Sequence, residues 1–202
     1  MKKGAKIGII VGVVAAVIIL GLVRYIVGTY NRLVALEENV ESSWAQVENQ
    51  YQRRLDLIPN LVATVKGYAS HESDVYTQVT EARSKAGGVM QLGSDVLNDP
   101  EAFERFQAAQ NELSAGLGRL LAVAENYPEL KANENFLALQ DQLEGTENRI
   151  ATERKRFNDA VQKYNRAIRS FPGNIVANNH GFEKKPYFKA AEEAKSAPKV
   201  EF

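Results

Sequence analysis

Residues 133–169 read NENFLALQDQLEGTENRIATERKRFNDAVQKYNRAIR, and this stretch decides the fold. Its apolar side chains fall at Phe136, Leu139, Leu143, Ile150, Phe157, Val161, Tyr164 and Ile168, with Phe171 just beyond. The gaps are threes, fours and sums of them. At about 3.6 residues per turn such spacing draws one apolar stripe along a helix, and a repeat near ~3.5 is the seam used when helices wrap around one another. Phe171-Pro172-Gly173 then closes the segment with residues that do not continue a helix.

The same spacing recurs on the N-terminal side. Between Tyr30 and about Ala86 it links Leu33, Val40, Trp44, Val47, Tyr51, Leu55, Ile58, Val62, Val65, Tyr68, Val75 and Val79. Pro59 sits inside this run, where it removes a backbone donor and crowds the carbonyl four residues earlier, so a kink or restart is expected at Leu57-Ile58-Pro59-Asn60. Gly87-Gly88 and Gly93-Ser94 read as a flexible connection. Asp99-Pro100-Glu101 reads as a helix start, with Asp99 as cap and Pro100 in the first turn. A further stripe of Phe103, Phe106, Gln110, Leu113, Leu117, Leu120, Ala124 and Tyr127 follows, closed by Tyr127-Pro128.

Nothing in the soluble part alternates apolar and polar residues over a strand length. The fold class is therefore all-α. The expected architecture is an N-terminal transmembrane helix followed by an antiparallel bundle of three to four long helices, four if the first segment is split at Pro59.

The transmembrane assignment rests on Ile7–Val27, 21 positions of which only Arg24 is charged. A helix of that length rises about 32 Å and matches a hydrocarbon core of about 30 Å. Lys2, Lys3 and Lys6 also suit the basic start of a cleaved signal peptide, but the apolar run exceeds the ~7–15 residues of such a segment and leads into helix without a small-residue cleavage site. An uncleaved anchor is the expectation. The basic residues before the span place its N-terminus on the cytoplasmic side and the bundle on the exported side. The chain thus divides into an anchor (1–28), a helical bundle (29–180) and a charged, loosely ordered tail (181–202) that follows the apolar patch Ile175-Val176-Ala177.

Lys plus Arg and Asp plus Glu each number 25, so the chain lacks the basic excess that draws proteins to nucleic acid, and no nucleic-acid partner is expected. With no cysteine, there is no disulfide, thiolate metal site or Cys nucleophile. His71 and His180 stand far apart, and His71-Glu72-Ser73-Asp74 has no recognised metal spacing. The motifs of serine hydrolases and of phosphate-binding loops are absent. No catalytic residue, cofactor or metal site, and no enzymatic activity, is therefore expected.

Longer runs carry a resemblance that spacing alone does not supply. Tyr30-Asn31-Arg32-Leu33-Val34, Trp44-Ala45-Gln46-Val47, Gln52-Arg53-Arg54-Leu55-Asp56-Leu57-Ile58-Pro59-Asn60-Leu61-Val62 and Val65-Lys66-Gly67-Tyr68 form one block. The run from Leu139 to Ile150, followed by Arg154, Tyr164-Asn165 and Phe171-Pro172, forms another. Both resemble the LemA family. The resemblance implies a bacterial membrane protein with one N-terminal transmembrane helix, an antiparallel bundle and no catalytic residues, encoded beside membrane proteases or other envelope proteins.

Interaction or register residues are sought among polar and aromatic positions on the stripes: Trp44, Tyr51, Arg53, Arg54, Asp56, Pro59, Glu147, Arg154 and Tyr164. The charges Arg53, Arg54 and Asp56, and Glu147, Arg149, Glu153 and Arg154, read first as solvated faces with i,i+3 and i,i+4 pairs, and second as a buried arginine–carboxylate network fixing helix register. Trp44 and the tyrosines read as core before ligand cage. Gly4, Gly8 and Gly12, with Ala15 and Ala16, give the anchor a spacing suited to close helix contact. The expected function is a membrane-tethered, self-associating scaffold in the bacterial inner membrane, with the lipid bilayer and further copies of itself as partners. The alternative is an adaptor for a membrane protease or another envelope protein.

Overall fold

The computed structural model describes residues 3–189, with side chains from residue 8 onward. Six α-helices are present among them: α1 (Lys3–Tyr68), α2 (Ser73–Met90), α3 (Pro100–Ala124), α4 (Pro128–Lys131), α5 (Glu134–Arg169) and α6 (Gly173–His180), with a 3-10 helix at Gly93–Leu97. No strand occurs among the described residues. The chain divides into two compact units, Met1–Val40 with Gln162–Lys184, and Glu41–Val161 with Lys185–Phe202. The charges of Lys2 and Lys6 and the packing of Gly4 fall outside what the structure describes.

In the larger unit the pairings fix helix direction. Lys85 meets Glu112 at 2.8 Å while Val79 lies against Gly116, so α2 and α3 run antiparallel. Trp44 packs on Phe103 and Arg54 on Ser114, which makes α1 and α3 parallel. Phe157 and Glu147 meet Trp44 and Arg54 in reversed order, so α5 runs against α1. The result is an up-down-up-down bundle, the antiparallel architecture expected for short connections. Its core joins Leu55, Ile58, Leu61 and Val65 of α1 to Val79 and Ala86 of α2, Leu113, Leu117 and Leu120 of α3, and Phe136 and Leu143 of α5.

The helix boundaries follow local chemistry, with three departures from expectation. Asp99 caps α3 by accepting from the N–H groups of Glu101 (2.9 Å) and Ala102 (3.2 Å). Asn133 accepts from Phe136 N at 3.0 Å and starts α5 in the same way. Pro59 does not end its helix. α1 continues to Tyr68, because Pro59 is exposed and the carbonyl it strands, that of Leu55, accepts instead from Arg83 Nε of α2 at 3.0 Å. The break comes later, at 69–72, and is sealed by Tyr76 Oη donating to Ala69 O. Gly87-Gly88 is not a connection but lies inside α2, with Leu55 Cδ1 3.9 Å from where a Cβ on Gly87 would stand. The turn to α3 comes at the 3-10 helix beginning with Gly93, whose φ of +54° suits glycine.

The third departure is the C-terminal segment. Its composition suggests looseness, yet residues 182–189, which form no helix or strand, are tied down. Phe188 is only 6% exposed, and Asn158 brackets its backbone, donating Nδ2 to Phe188 O (3.1 Å) and accepting from Phe188 N (3.0 Å). Lys185, also buried, donates to Asn98 Oδ1 at 2.6 Å. Residues 190–202, the remainder of the expected tail, lie outside the described residues.

The smaller unit pairs the beginning of α1 with the end of α5 and with α6. Tyr164 is fully buried, and its hydroxyl lies 3.5 Å from Glu37 Oε1. Tyr30 meets His180 and Phe182 edge-on, with ring centres at 4.9 and 5.7 Å. Gly173 opens α6 where any Cβ would stand 2.9 Å from Ala167 O, a contact too close for a side chain. Along the first part of α1, every large apolar side chain from Ile9 to Val23 is more than half exposed.

Candidate functional site

Two features of the described chain call for a functional account: a polar knot inside the larger unit and an uncovered apolar helix in the smaller one. The knot centres on Arg54, whose side chain is 2% exposed. Its Nη1 donates to Ser114 Oγ at 2.8 Å and to Glu147 Oε1 at 3.0 Å, and its Nη2 donates to Gln110 O at 3.3 Å and to Gln110 Oε1. Ser114 Oγ in turn donates to Gln110 O at 3.1 Å. A guanidinium offers five N–H groups in a fixed fork, so one arginine satisfies acceptors from two helices at once. Glu147 keeps 40% of its side chain exposed, so the pair is half in water and its charge is only partly desolvated.

Sequence reasoning favoured solvated faces for both charge groups. That holds for Arg53 and for Asp56, which are exposed, Asp56 accepting from Gln52 Nε2 at 2.7 Å one turn away. It fails for Arg54 and Glu147, which the fold joins across 93 residues of sequence. Adjacent arginines face about 100° apart on a helix, and only the one in phase with Tyr51, Leu55 and Ile58 turns inward. Gln110 was visible as the single polar member of its stripe. Its role as acceptor was not.

Trp44 stands in an aromatic cluster, 1% exposed, with ring centres 5.8 Å from Phe103, 5.1 Å from Phe106, 5.4 Å from Phe157 and 5.9 Å from Phe188. Tyr51 packs edge-on against Phe106 at 5.3 Å, and the Arg54 guanidinium lies 5.0 Å from the Tyr51 ring centre. Arg154 lies over the Phe188 ring at 4.6 Å and donates to Lys189 O at 3.1 Å. Burial pushes the phenol of Tyr51 above its ordinary range, with Arg154 and Arg54 pulling the other way. Burial likewise raises the Glu48 carboxyl. Tyr164 is raised by burial and by the neighbouring Glu37 charge.

Beside Glu147 a cavity of about 380 Å³ opens between α3 and α5, walled by Leu117, Leu121 and Leu143. A second cleft of about 320 Å³ is lined by Tyr68, Tyr127 and Pro128. Among the described residues no group of three or more His, Asp or Glu side chains is placed to hold a metal ion. His71 and His180 fall in different units. The knot presents one guanidinium to four acceptors drawn from α3 and α5.

The uncovered helix is the other surface. From Gly8 it is long and apolar enough to cross a membrane, and the span is not covered by protein. At Gly8 and Gly12 an added Cβ would meet nothing within 4 Å, so the small-residue face is open.

The sequence has relatives among known proteins. Magnetosome protein MamQ of Magnetospirillum gryphiswaldense is 28% identical over 191 residues, covering 86% of this chain and 70% of that protein. Magnetosome protein MamQ 2 of Paramagnetospirillum magneticum is 27% identical over 191 residues, covering 87% and 70%. Protein LemA of Metamycoplasma hominis is 21% identical over 166 residues, covering 82% and 71%. The LemA family itself matches residues 43–202, a range that holds Trp44, Arg54, Gln110, Glu147 and Phe188 together, and the chain belongs to that family.

Proposed function

We propose that this chain is a membrane-anchored scaffold of the bacterial inner membrane, spanning the bilayer once and self-associating, with its bundle on the exported side. The observation that carries the reading is the run from Ile9 to Val23, whose large apolar side chains are all more than half exposed. Each such side chain gains about 1.5–3 kcal/mol on leaving water, so a free aqueous existence is strongly disfavoured and lipid is the natural cover. The larger unit, with Arg54 tied to α3 and α5, supplies a stiff body for protein contacts.

The open faces at Gly8 and Gly12 support self-association, since small residues let two helices in a membrane approach closely. Donor- and acceptor-labelled copies reconstituted in vesicles should transfer energy in a dilution-dependent way. Gly8→Ile with Gly12→Ile should reduce it. Transfer equal to that of an unrelated single-span protein would remove self-association from the proposal. Sidedness is read by Lys155→Cys in the cysteine-free chain: an impermeant thiol reagent should label it in spheroplasts before lysis.

A second reading, an adaptor for a membrane protease or other envelope protein, is favoured by the cleft of Tyr68 and Tyr127, since exposed aromatics anchor protein partners. A photo-crosslinker at Tyr68 should then capture one defined envelope protein.

A further inference from the structure

The smaller unit contains a cavity of about 300 Å³ whose lining includes Tyr25, Thr29 and Arg32 of α1 and Lys163, Arg166 and Ser170 of α5. Three of its wall residues are cations and none is a carboxylate. Among the described residues, none of the three cations takes part in an ion pair. Three like charges gathered around a void repel one another unless an anion joins them.

Position narrows the anion. Tyr25, Thr29 and Arg32 lie on one face of α1, at gaps of four and three, where the exposed apolar run ends at Val27. Arg32 therefore stands about 7 Å beyond the last apolar residue, within the ~5–8 Å layer that headgroups occupy outside the hydrocarbon. Phe171, also in the cavity lining, is 81% exposed. A phenyl ring so exposed beside the end of a membrane span suits the boundary between acyl chains and headgroups. Arginine offers paired N–H groups that match phosphate oxygens, lysine adds a point charge, and the Thr29 hydroxyl is a further donor.

We propose that this cavity binds the phosphate of an anionic phospholipid, held by Arg32, Lys163 and Arg166, with Phe171 seated among the neighbouring acyl chains. The inference rests on the membrane-anchored reading. It makes the span lipid-selective as well as lipid-embedded, so the protein would gather where anionic lipid is enriched.

The test uses the full chain reconstituted in nanodiscs of phosphatidylcholine with a minor fraction of phosphatidylglycerol, released for native mass spectrometry. Phosphatidylglycerol should be retained in preference to phosphatidylcholine. The triple substitution Arg32→Gln, Lys163→Gln, Arg166→Gln should lower that retention at least about tenfold, the loss expected when charge-assisted contacts are removed. Arg119→Gln, on the exposed face of α3, should leave it unchanged. All three substituted positions are exposed, and helicity by circular dichroism confirms that the variant is folded. Equal retention of the two lipids, or undiminished retention by the folded triple variant, overturns the proposal. So does displacement of the lipid by millimolar inorganic phosphate, which would mark a site for a free anion. Flotation with vesicles of phosphatidylcholine alone separates the two levels: a chain that floats without lipid preference keeps its anchor and loses this site, whereas a chain that does not float loses both.

Discussion

Leu55 O accepts from Arg83 Nε at 3.0 Å, and Leu55 is the residue four before Pro59, the carbonyl that a proline leaves without its helical partner. The neighbouring helix thus repairs the defect that proline introduces, and α1 passes through the position unbroken. Arg83→Ala should cost about 1–3 kcal/mol by stranding that half-buried acceptor. In a Pro59→Ala background the helix supplies its own N–H, and the same substitution should cost about 1 kcal/mol less. Denaturant unfolding of the four proteins measures the coupling, and additivity within ~0.3–0.5 kcal/mol would show that Arg83 does not serve this carbonyl.

Arg54 and Arg53 should differ sharply although they are adjacent. Arg54→Ala removes a side chain held by Gln110, Ser114 and Glu147 and leaves those acceptors facing a void, at a cost of about 3–5 kcal/mol. Glu147→Gln keeps an acceptor at a half-exposed position and should cost about 1–2 kcal/mol. Arg53→Ala should stay within about 0.5 kcal/mol. The order Arg54, Glu147, Arg53 in midpoint shifts is the result to look for.

The C-terminal segment should be protected by a single ring. Phe188→Ala removes a partner of Trp44, Phe103 and Phe157 and should release residues 182–189 to limited proteolysis, with a loss of about 3–4 kcal/mol. Arg154→Ala, which loses the ring contact at 4.6 Å and the bond to Lys189 O, should raise cleavage more modestly. A cleavage rate unchanged in Phe188→Ala would mean the segment is held by its polar contacts alone.

Alkaline pH should unfold the chain through its buried phenols. Tyr51, Tyr76 and Tyr164 are all raised above the ordinary value of 10.0, chiefly by burial. Their protonated forms are favoured by the fold, so the phenols' contribution to stability is level well below pH 10, where phenols in both states are neutral. It falls as pH rises from 10, because the unfolded chain then ionises first. Tyr164→Phe should flatten this decline above pH 10. A thermal midpoint measured from pH 8 to pH 11 checks both statements.

Much of this architecture can be read directly from residue spacing. The stripes of α3 and α5, the Asp99 cap and the exposed apolar run are each written in nearby residues, so local periodicity reports them. The departures have a common cause in partners distant along the chain. Pro59 reads as a breaker until Arg83 is beside it, and Gly87-Gly88 reads as a hinge until Leu55 packs on the helix that contains it. Arg54 and Arg53 carry the same charge, and only the packing of α3 and α5 shows which one lies inside. The segment at 182–189 looks solvated by composition because Glu183, Lys184, Lys185 and Lys189 stand among its apolar residues, and its anchors are Phe188 and one of those lysines, Lys185.

Phe188 also gives the larger unit a sequence in time. Synthesis runs from the N-terminal side, so the wall that Trp44, Phe103 and Phe157 present to Phe188 stays open until residue 188 is made. A chain halted before that point would leave three aromatic rings facing water instead of a fourth ring. Closure of this aromatic core is thereby deferred to a residue far along the chain from the helices that build it.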